Sequence, residues 1–294
     1  MILAAGLTPA WQQILVFDRL ATGHVNRARS TLWCSAGKVL NVGAALHHLG
    51  AKSLTLSPIG GATGEQIRAD FARRGIAARW LETNTPTRVC TTILDQATGT
   101  TTELVENSAP LTEDELAAFV AAFAEESRAA DFVVLSGSLP NGTPASLYRQ
   151  LLEATHARAI LDVRGRELIE CLPLKPFLVK PNREELAATI GRPLQTEAAV
   201  IEAMSELRRA GVEWVIVSHG AEPLLALGPD GLHRIEPPSV QVVNPIGCGD
   251  SLTAAIAAQL QAGRKPLDAI HFGVTYAARK AATLFPVLEQ AEET

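Results

Sequence analysis

The sequence predicts an α/β fold built on a doubly wound parallel sheet. From about residue 130 onward, compact apolar runs alternate with helical patterns, as do the strands and covering helices of a parallel sheet. Four such runs fall at 132–136, 159–163, 177–179 and 214–218. Each is typical of a strand buried on both faces. Helix starts lie between them, at Thr143–Pro144 and at Thr196.

The first hundred residues have a different pattern, in which the recognisable strands follow one another without helices. Those strands are expected at 12–17, 25–33, 88–94 and 100–106, with a hairpin turn at 95–99. They predict a small accessory sheet from about 11–34 and 86–107, interrupted by helices at 38–49 and 64–74. A capping box at 112–115 marks the return to the main sheet. A sheet that projects from an α/β body can act as a lid.

Length and composition favour one domain over 1–294, because 294 residues with 47% apolar side chains can bury one large core. The formal net charge of −5 comes without a basic block, so neither nucleic-acid binding nor membrane binding is expected. The four cysteines form no C-x-x-C pair, which argues against a zinc knuckle or a redox dithiol. With no signal peptide or membrane span recognised, we expect a cytoplasmic protein.

The strongest chemical signal is Gly247-Cys248-Gly249-Asp250, which opens an apolar helix. Glycines leave the amides of such a turn accessible, and a helix N-terminus attracts phosphate through those amides and its dipole. An aspartate on the same turn can take the proton from a hydroxyl that attacks a phosphoryl group. On this string alone, a plain helix cap at Asp250 explains the pattern equally well.

Three further strings follow strands or open helices, and each has a structural alternative. The segment 180–185 leaves a buried strand, where α/β proteins bind ligands, but Asn182 and Glu185 also fit an ordinary capping box. The segment 136–140 is a common turn as well as a source of hydroxyls. Lys38 and Asn41 stand one turn apart on one helix face. Neither a Walker loop nor a G-x-G-x-x-G fingerprint is present.

Taken in order, these motifs resemble the PfkB (ribokinase-like) carbohydrate kinase family, in particular its 1-phosphofructokinase and tagatose-6-phosphate kinase branch. The matching segments are 23–27, 36–38 with 41–42, 60–64, 87–88, 102–104, 136–140, 180–185 and 244–251. The resemblance implies a ribokinase-like three-layer α/β/α sandwich with a small β-sheet lid, which frequently forms a homodimer interface. It also implies ATP and Mg²⁺ as cofactors. The expected acceptor is a hydroxyl of a sugar phosphate of the fructose 1-phosphate, tagatose 6-phosphate or fructose 6-phosphate type.

The resemblance assigns roles to individual residues. It makes Asp250 the base and the amides of Gly247, Cys248 and Gly249 the anion hole. The implied ATP-binding residues are Lys180, Asn182, Glu185, Ser218, Gly220 and Gly249. Asn182 and Glu185 would also serve magnesium indirectly, through water or phosphate. The implied acceptor-binding residues are Gln12, Gly37, Lys38, Asn41, Arg88, Ser138 and Arg27, with Arg88 or Arg27 as partner of the sugar phosphate.

Departures from the family pattern cluster on the acceptor side. Gln12 stands where the branch has an aspartate, Val39 where it has glycine, and Cys90 where it has asparagine. Gln12 offers one acceptor and one donor group instead of two acceptors, so it would read a different hydroxyl pattern. In the nucleotide region, 220–223 replaces the usual Gly-x-x-Gly. Two alternatives therefore stay open: a same-fold kinase of an unphosphorylated sugar or nucleoside, and a catalytically inactive regulator that binds sugar phosphates.

Overall fold

The computed structural model describes residues 1–288, in which a large and a small sheet are combined with helices. The strands are β1 (Ile2–Ala5), β2 (Ala10–Phe17), β3 (Ser30–Ala36), β4 (Ser53–Ile59), β5 (Ala78–Glu82), β6 (Val89–Asp95), β7 (Thr100–Val105), β8 (Phe132–Ser136), β9 (Arg158–Asp162), β10 (Leu178–Val179), β11 (Trp214–His219), β12 (Glu222–Gly228) and β13 (Gly231–Ile235). The helices are α1 (Lys38–His48), α2 (Gly61–Arg73), α3 (Glu113–Glu126), α4 (Leu147–Glu153), α5 (Gly165–Cys171), α6 (Arg183–Ile190), α7 (Glu197–Arg209), α8 (Cys248–Gln261) and α9 (Pro266–Ala281). Short 3₁₀ turns follow α3 and α5.

The large sheet has nine strands in the order β13-β12-β11-β10-β9-β8-β1-β4-β5. The strands from β11 to β5 in this order run parallel, and β12 and β13 add an antiparallel edge. Side chains of β1 alternate between two cores: Ile2 and Ala4 lie in one, Leu3 and Ala5 in the other. Helices α1, α2, α8 and α9 cover the first face, and α3 to α7 cover the second. The predicted three-layer α/β/α arrangement is confirmed.

The small sheet contains four strands in the order β3-β2-β6-β7. One of its faces is buried around Ile14, Cys34 and Leu94. The expected strand at 25–33 begins only at Ser30, because the residues before it form a loop. In this loop the Asn26 side chain hydrogen-bonds both the amide and the carbonyl of Ala21, which closes a turn instead of a strand ladder.

Three strands of the large sheet come from the first hundred residues, where the sequence pattern predicted only the accessory sheet. β1 lies between β8 and β4, and β5 follows at the edge. Half of β1 is alanine, β4 contains Pro58, and β5 carries Arg79, so each has weak strand propensity. Their placement depends on burial against the helices. The helix expected from Thr143–Pro144 starts later, with Leu147 as its first residue.

None of the helices within residues 1–288 combines the length and apolarity that crossing a bilayer requires.

Candidate active site

The N-terminus of α8 is formed by a turn that only glycine fits. Gly247 caps the helix with φ of 86°, in the left-handed region. A Cβ at this position would stand 2.1 Å from the carbonyl oxygen of Pro286, so the backbone that follows α9 lies directly against the turn. Asp250 is in the first turn of the helix and only 6% exposed. The turn thereby presents a buried carboxylate beside helix amides that have no intrahelical acceptor.

The first turn of α1 faces this carboxylate. Gly37 precedes the helix with φ of 90°, and its Cα lies close enough to Thr8 that a Cβ would come within 2.8 Å of the Thr8 carbonyl oxygen. One turn on, the Nδ2 of Asn41 donates a hydrogen bond of 2.7 Å to Oδ2 of Asp250. The predicted spacing of Lys38 and Asn41 on one face is therefore seen, and both side chains reach carboxylates.

Asp162, at the end of β9, joins two lysines and was not singled out in the sequence. Its Oδ1 accepts a hydrogen bond of 3.0 Å from Lys38 Nζ, and its Oδ2 lies 3.4 Å from Lys180 Nζ. Asp162 is 1% exposed and Lys180 is 3% exposed. Two ammonium groups thus share one buried carboxylate next to Asp250. The available signal was a charged residue inside the apolar run 159–163.

The two buried aspartates are shifted in opposite directions. Burial, together with the negative charge of Asp162, raises the pKa of Asp250 to about 6, against the opposing effects of Lys38, Asn41 and Lys180. Burial also disfavours ionised Asp162, but Lys180 and Lys38 hold its pKa below the usual range. Asp250 is thus a carboxylate at neutral pH with a pKa suited to accepting a proton. Burial lowers the pKa of Lys38, yet the surrounding carboxylates raise it overall.

Glu185 connects the lysine cluster to the start of α6. Its Oε2 accepts a hydrogen bond of 3.0 Å from the amide of Asn182, and the Oδ1 of Asn182 accepts one of 2.7 Å from the amide of Glu185. The capping box is therefore formed, as the structural alternative predicted. The Oε1 of Glu185 also lies 3.3 Å from Lys38 Nζ. Glu185 therefore caps α6 and also contacts Lys38 beside Asp162.

Lys180 lies against the turn that precedes Asp250. A Cβ at Gly249 would be 3.4 Å from Lys180 Nζ, which puts the ammonium group beside the first turn of α8. Of the predicted anion-hole amides, that of Cys248 donates to the Pro245 carbonyl at 3.3 Å, within the turn itself. Helix amides and an ammonium group at one point form an environment suited to an anion.

The segment Thr8–Pro9 gathers three of the predicted acceptor-binding residues. Gly37 approaches Thr8 as described, and the Thr8 hydroxyl donates to the carbonyl of Ser138 at 3.2 Å. The Arg88 guanidinium donates to the carbonyls of Thr8 at 2.9 Å, Pro9 at 3.3 Å and Glu106 at 3.0 Å. Through these hydrogen bonds Arg88 connects the small sheet to the segment Thr8–Pro9, which follows β1 of the large sheet.

The three acceptor-side residues that depart from the family pattern are all buried. Gln12 is 4% exposed on the buried face of the small sheet, and its Nε2 donates a hydrogen bond of 2.7 Å to Thr92 Oγ1. Cys90 is its neighbour on β6. Val39 packs into the core on the α1 side of the large sheet. Val39 is therefore a core residue, and Gln12 has a partner within the small sheet.

The remaining predicted residues are Ser218, Gly220 and Arg27. Ser218 is next to the start of α6, where its amide donates to the Pro181 carbonyl at 3.4 Å. Gly220 is in the exposed turn between β11 and β12, with φ of 58°. Arg27 is exposed in the loop before β3. No contact described for residues 1–288 joins these three to the carboxylate cluster.

Comparison with known proteins identifies the family. A model of the pfkB family carbohydrate kinases matches residues 11–283. The chain belongs to the pfkB carbohydrate kinase family. The matched region includes the strands of the small sheet, with β2 from Trp11 onward, and both Asp162 and Asp250.

Solved structures of phosphofructokinases resemble this pfkB-family chain over almost its whole length. Escherichia coli phosphofructokinase-2 in complex with fructose-6-phosphate is 28% identical, with a TM-score of 0.87 over 96% of this chain and 94% of that one. The tetrameric inhibited form of the same enzyme is 27% identical, with a TM-score of 0.88 over 95% and 93%. A possible 1-phosphofructokinase from Thermotoga maritima is 21% identical, with a TM-score of 0.89 over 99% and 95%, and shows the fold. The predicted family, the pfkB carbohydrate kinases, is confirmed.

Proposed function

We propose that this pfkB-family chain transfers the γ-phosphoryl group of ATP to a hydroxyl of a sugar phosphate of the fructose 1-phosphate, fructose 6-phosphate or tagatose 6-phosphate type. The observation that carries the proposal is the position of Asp250. Its buried carboxylate is oriented by Asn41, lies in the first turn of α8 and has two lysines nearby. The likeness to phosphofructokinase-2 with bound fructose-6-phosphate supports the choice of acceptor class.

In this reaction Asp250 accepts the proton of the acceptor hydroxyl as its oxygen attacks the γ-phosphorus in line. The Asn41 hydrogen bond fixes one carboxylate oxygen, so the other is available for the hydroxyl. The amides at the start of α8 and the ammonium group of Lys180 stabilise the negative charge of the transferred group. Asp162 keeps Lys180 and Lys38 in place through its two oxygens.

The residues at the start of α6 fit a metal-bound nucleotide. Within residues 1–288 no three histidine, cysteine or acidic side chains cluster as a metal site, so the protein would share the ion with phosphate and water. Asn182 and Glu185 would hold Mg²⁺ indirectly, since the carboxylate of Glu185 is already bonded to the Asn182 amide and to Lys38. Mg²⁺ bound there would neutralise part of the phosphate charge. Ser218 and Gly220 would border the nucleotide.

Arg88 is the residue whose substitution tests whether the acceptor is phosphorylated or unphosphorylated. We propose it, with Arg27 as the second candidate, as partner of the sugar phosphate. Its carbonyl contacts occupy three of its five N–H donors and leave two for a phosphate, and they are the observation that keeps an unphosphorylated sugar or nucleoside as the alternative. Arg88→Ala should raise KM sharply for a phosphorylated acceptor and little for its unphosphorylated counterpart. Little change in KM for the phosphorylated acceptor would favour the alternative.

A coupled assay of ADP formation tests the proposal. Wild-type protein with Mg-ATP should turn over with at least one of the three sugar phosphates, and Asp250→Asn should not. Asp268→Asn is the matched control, since it makes the same change in the first turn of α9, where the side chain is exposed. Absence of turnover with every sugar phosphate, together with turnover of a free sugar, would support the alternative. Tight sugar-phosphate binding without any turnover would indicate a regulator.

We also propose a cytoplasmic homodimer assembled through the small sheet, acting as a lid. Trp33 and Leu104 are 44% and 55% exposed and belong to one row of side chains across the sheet. Trp11 stacks on Trp33 with ring centroids 6.1 Å apart, so this outward face is aromatic and apolar. Trp33→Glu should convert a dimer to a monomer in analytical ultracentrifugation. A wild-type monomer at micromolar concentration would contradict the proposal.

A further inference from the structure

Lys280 is a fully buried lysine that the proposed chemistry leaves without a role. It stands in the last turn of α9 with 0% exposure. Its Nζ donates to the carbonyl of Asn244 at 2.7 Å and to the carbonyl of Ile246. Both acceptors are neutral backbone groups. Burying an ammonium group against carbonyls costs free energy that an apolar side chain of similar length would avoid.

The two carbonyls belong to the turn that forms the N-terminus of α8. Asn244 and Ile246 flank Pro245, and the left-handed Gly247 follows at once. Other bonds fix the same turn: Asn244 Nδ2 donates to the Leu284 carbonyl at 2.7 Å, and its Oδ1 accepts from the Ile246 amide at 3.0 Å. Lys280 therefore supplies the positive charge on which the carbonyls of Asn244 and Ile246 converge.

We propose that Lys280 is a positioning residue, an internal cation whose ammonium group orients the carbonyls of Asn244 and Ile246 and thereby sets the anion-binding turn for phosphoryl transfer. The inference rests on the proposed kinase function of that turn. Carbonyl oxygens that converge on one cation can accept a free monovalent ion in its place. Removal of the side chain thus leaves a site that a small cation can enter.

The protonation of Lys280 gives the inference a second readout. Burial lowers its pKa to about 8, although the charges of Cys248, Asp250 and Cys34, which face it from α8 and β3, act to raise it. Cys248, Asp250 and Cys34 are the titratable groups whose charges act on Lys280 within the described residues. The segment 281–288, which follows α9, contains no titratable side chain. Loss of the proton removes the internal cation, so kcat should decline as the pH rises through about 8.

The test compares Lys280→Ala, which opens space, with Lys280→Met, which keeps length without charge. In tetramethylammonium chloride, kcat of Lys280→Ala should fall on the order of 10- to 100-fold, the effect of misplacing a reacting group. Potassium or ammonium chloride at equal ionic strength should restore at least several-fold of it, with little change in KM for ATP. Wild-type protein and Lys265→Ala, an exposed lysine at the other end of α9, should not respond.

The proposal is overturned if kcat of Lys280→Ala is the same in potassium chloride as in tetramethylammonium chloride. A decline of kcat above about pH 8 that persists unchanged in Lys280→Met also overturns it. If neither variant folds, the wild-type profile decides, because a plateau of kcat through about pH 9 excludes a protonation requirement at Lys280.

Failure of the proposed kinase function is distinguishable, because it appears as absent turnover in the wild type. In that case the thermal midpoint of Lys280→Ala tests the internal cation without catalysis. Potassium or ammonium should raise the midpoint and tetramethylammonium should not. An identical midpoint in all three salts refutes the inference.

Discussion

Asp250→Asn should make the protein inactive and, at neutral pH, more stable. Asparagine keeps the shape of aspartate, and its carbonyl oxygen can still accept the hydrogen bond from Asn41. What it removes is a negative charge held at 6% exposure beside the carboxylate of Asp162. The folded protein therefore no longer carries the cost of ionising a buried carboxyl group.

The magnitude follows from the pKa of Asp250, which is raised from 3.8 to about 6. A folded-state pKa above the unfolded one means that the unfolded chain loses this proton first as the pH rises. The cost thus accumulates between about pH 4 and 6 and stays constant above that range. At about 1.4 kcal/mol for each unit, the asparagine variant should gain about 3 kcal/mol at pH 7.

Urea unfolding of both proteins at pH 4.5, 5.5, 6.5 and 7.5 measures this gain as a difference in the free energy of unfolding. The difference should grow with pH and level off above about 6.5. The control Asp268→Asn, which changes an exposed carboxylate in the first turn of α9, should show a small difference. An Asp250→Asn protein that is less stable at pH 7.5, or whose difference does not vary with pH, would refute the idea of a desolvated, ionised base.

Other consequences of the site are open to direct measurement. kcat/KM should rise with pH through about 6 as Asp250 ionises. Asp162→Asn should move this rise to lower pH, because Asp162 raises the pKa of Asp250, and Asn41→Leu should move it to higher pH, because Asn41 lowers that pKa. Steady-state profiles in which both variants shift the same way would contradict the assignment. Gly247→Ala should lower kcat, and in urea unfolding it should destabilise the fold by more than Gly263→Ala. Both glycines have positive φ, but only a Cβ at position 247 would collide with Pro286. Strain of this kind costs about 1–3 kcal/mol, and equal losses in the two variants would exclude the Pro286 contact as a cause.

The sequence was informative wherever a local pattern was sufficient to determine structure. Helix spacing predicted that Lys38 and Asn41 share a face, and both reach carboxylates of the site. The capping box at Asn182 and the glycine turn before α8 are likewise local features and are seen as expected. The expected roles of these residues stay predictions.

Features that depend on tertiary burial were not predictable in this way. Asp162 is a single charged residue in an apolar stretch, and Lys280 follows Arg279 at the end of a helix. Only the packed structure brings Asp162 to two lysines and Lys280 to the turn before α8. β1 and β4 are strands because they are buried between helices, in spite of weak propensity. The local pattern also placed a strand at 25–29, where Asn26 closes a loop.

Phosphorus NMR of the wild-type protein with Mg-ATP and each sugar phosphate tests most directly whether ATP phosphorylates the acceptor with Asp250 as the base. With at least one acceptor, the γ-phosphate signal of ATP should decrease while an equal amount of a second phosphomonoester signal appears. Asp250→Asn at the same concentration should leave the spectrum unchanged. Transfer by the variant at the wild-type rate, or no transfer by the wild type to any sugar phosphate, would contradict the account.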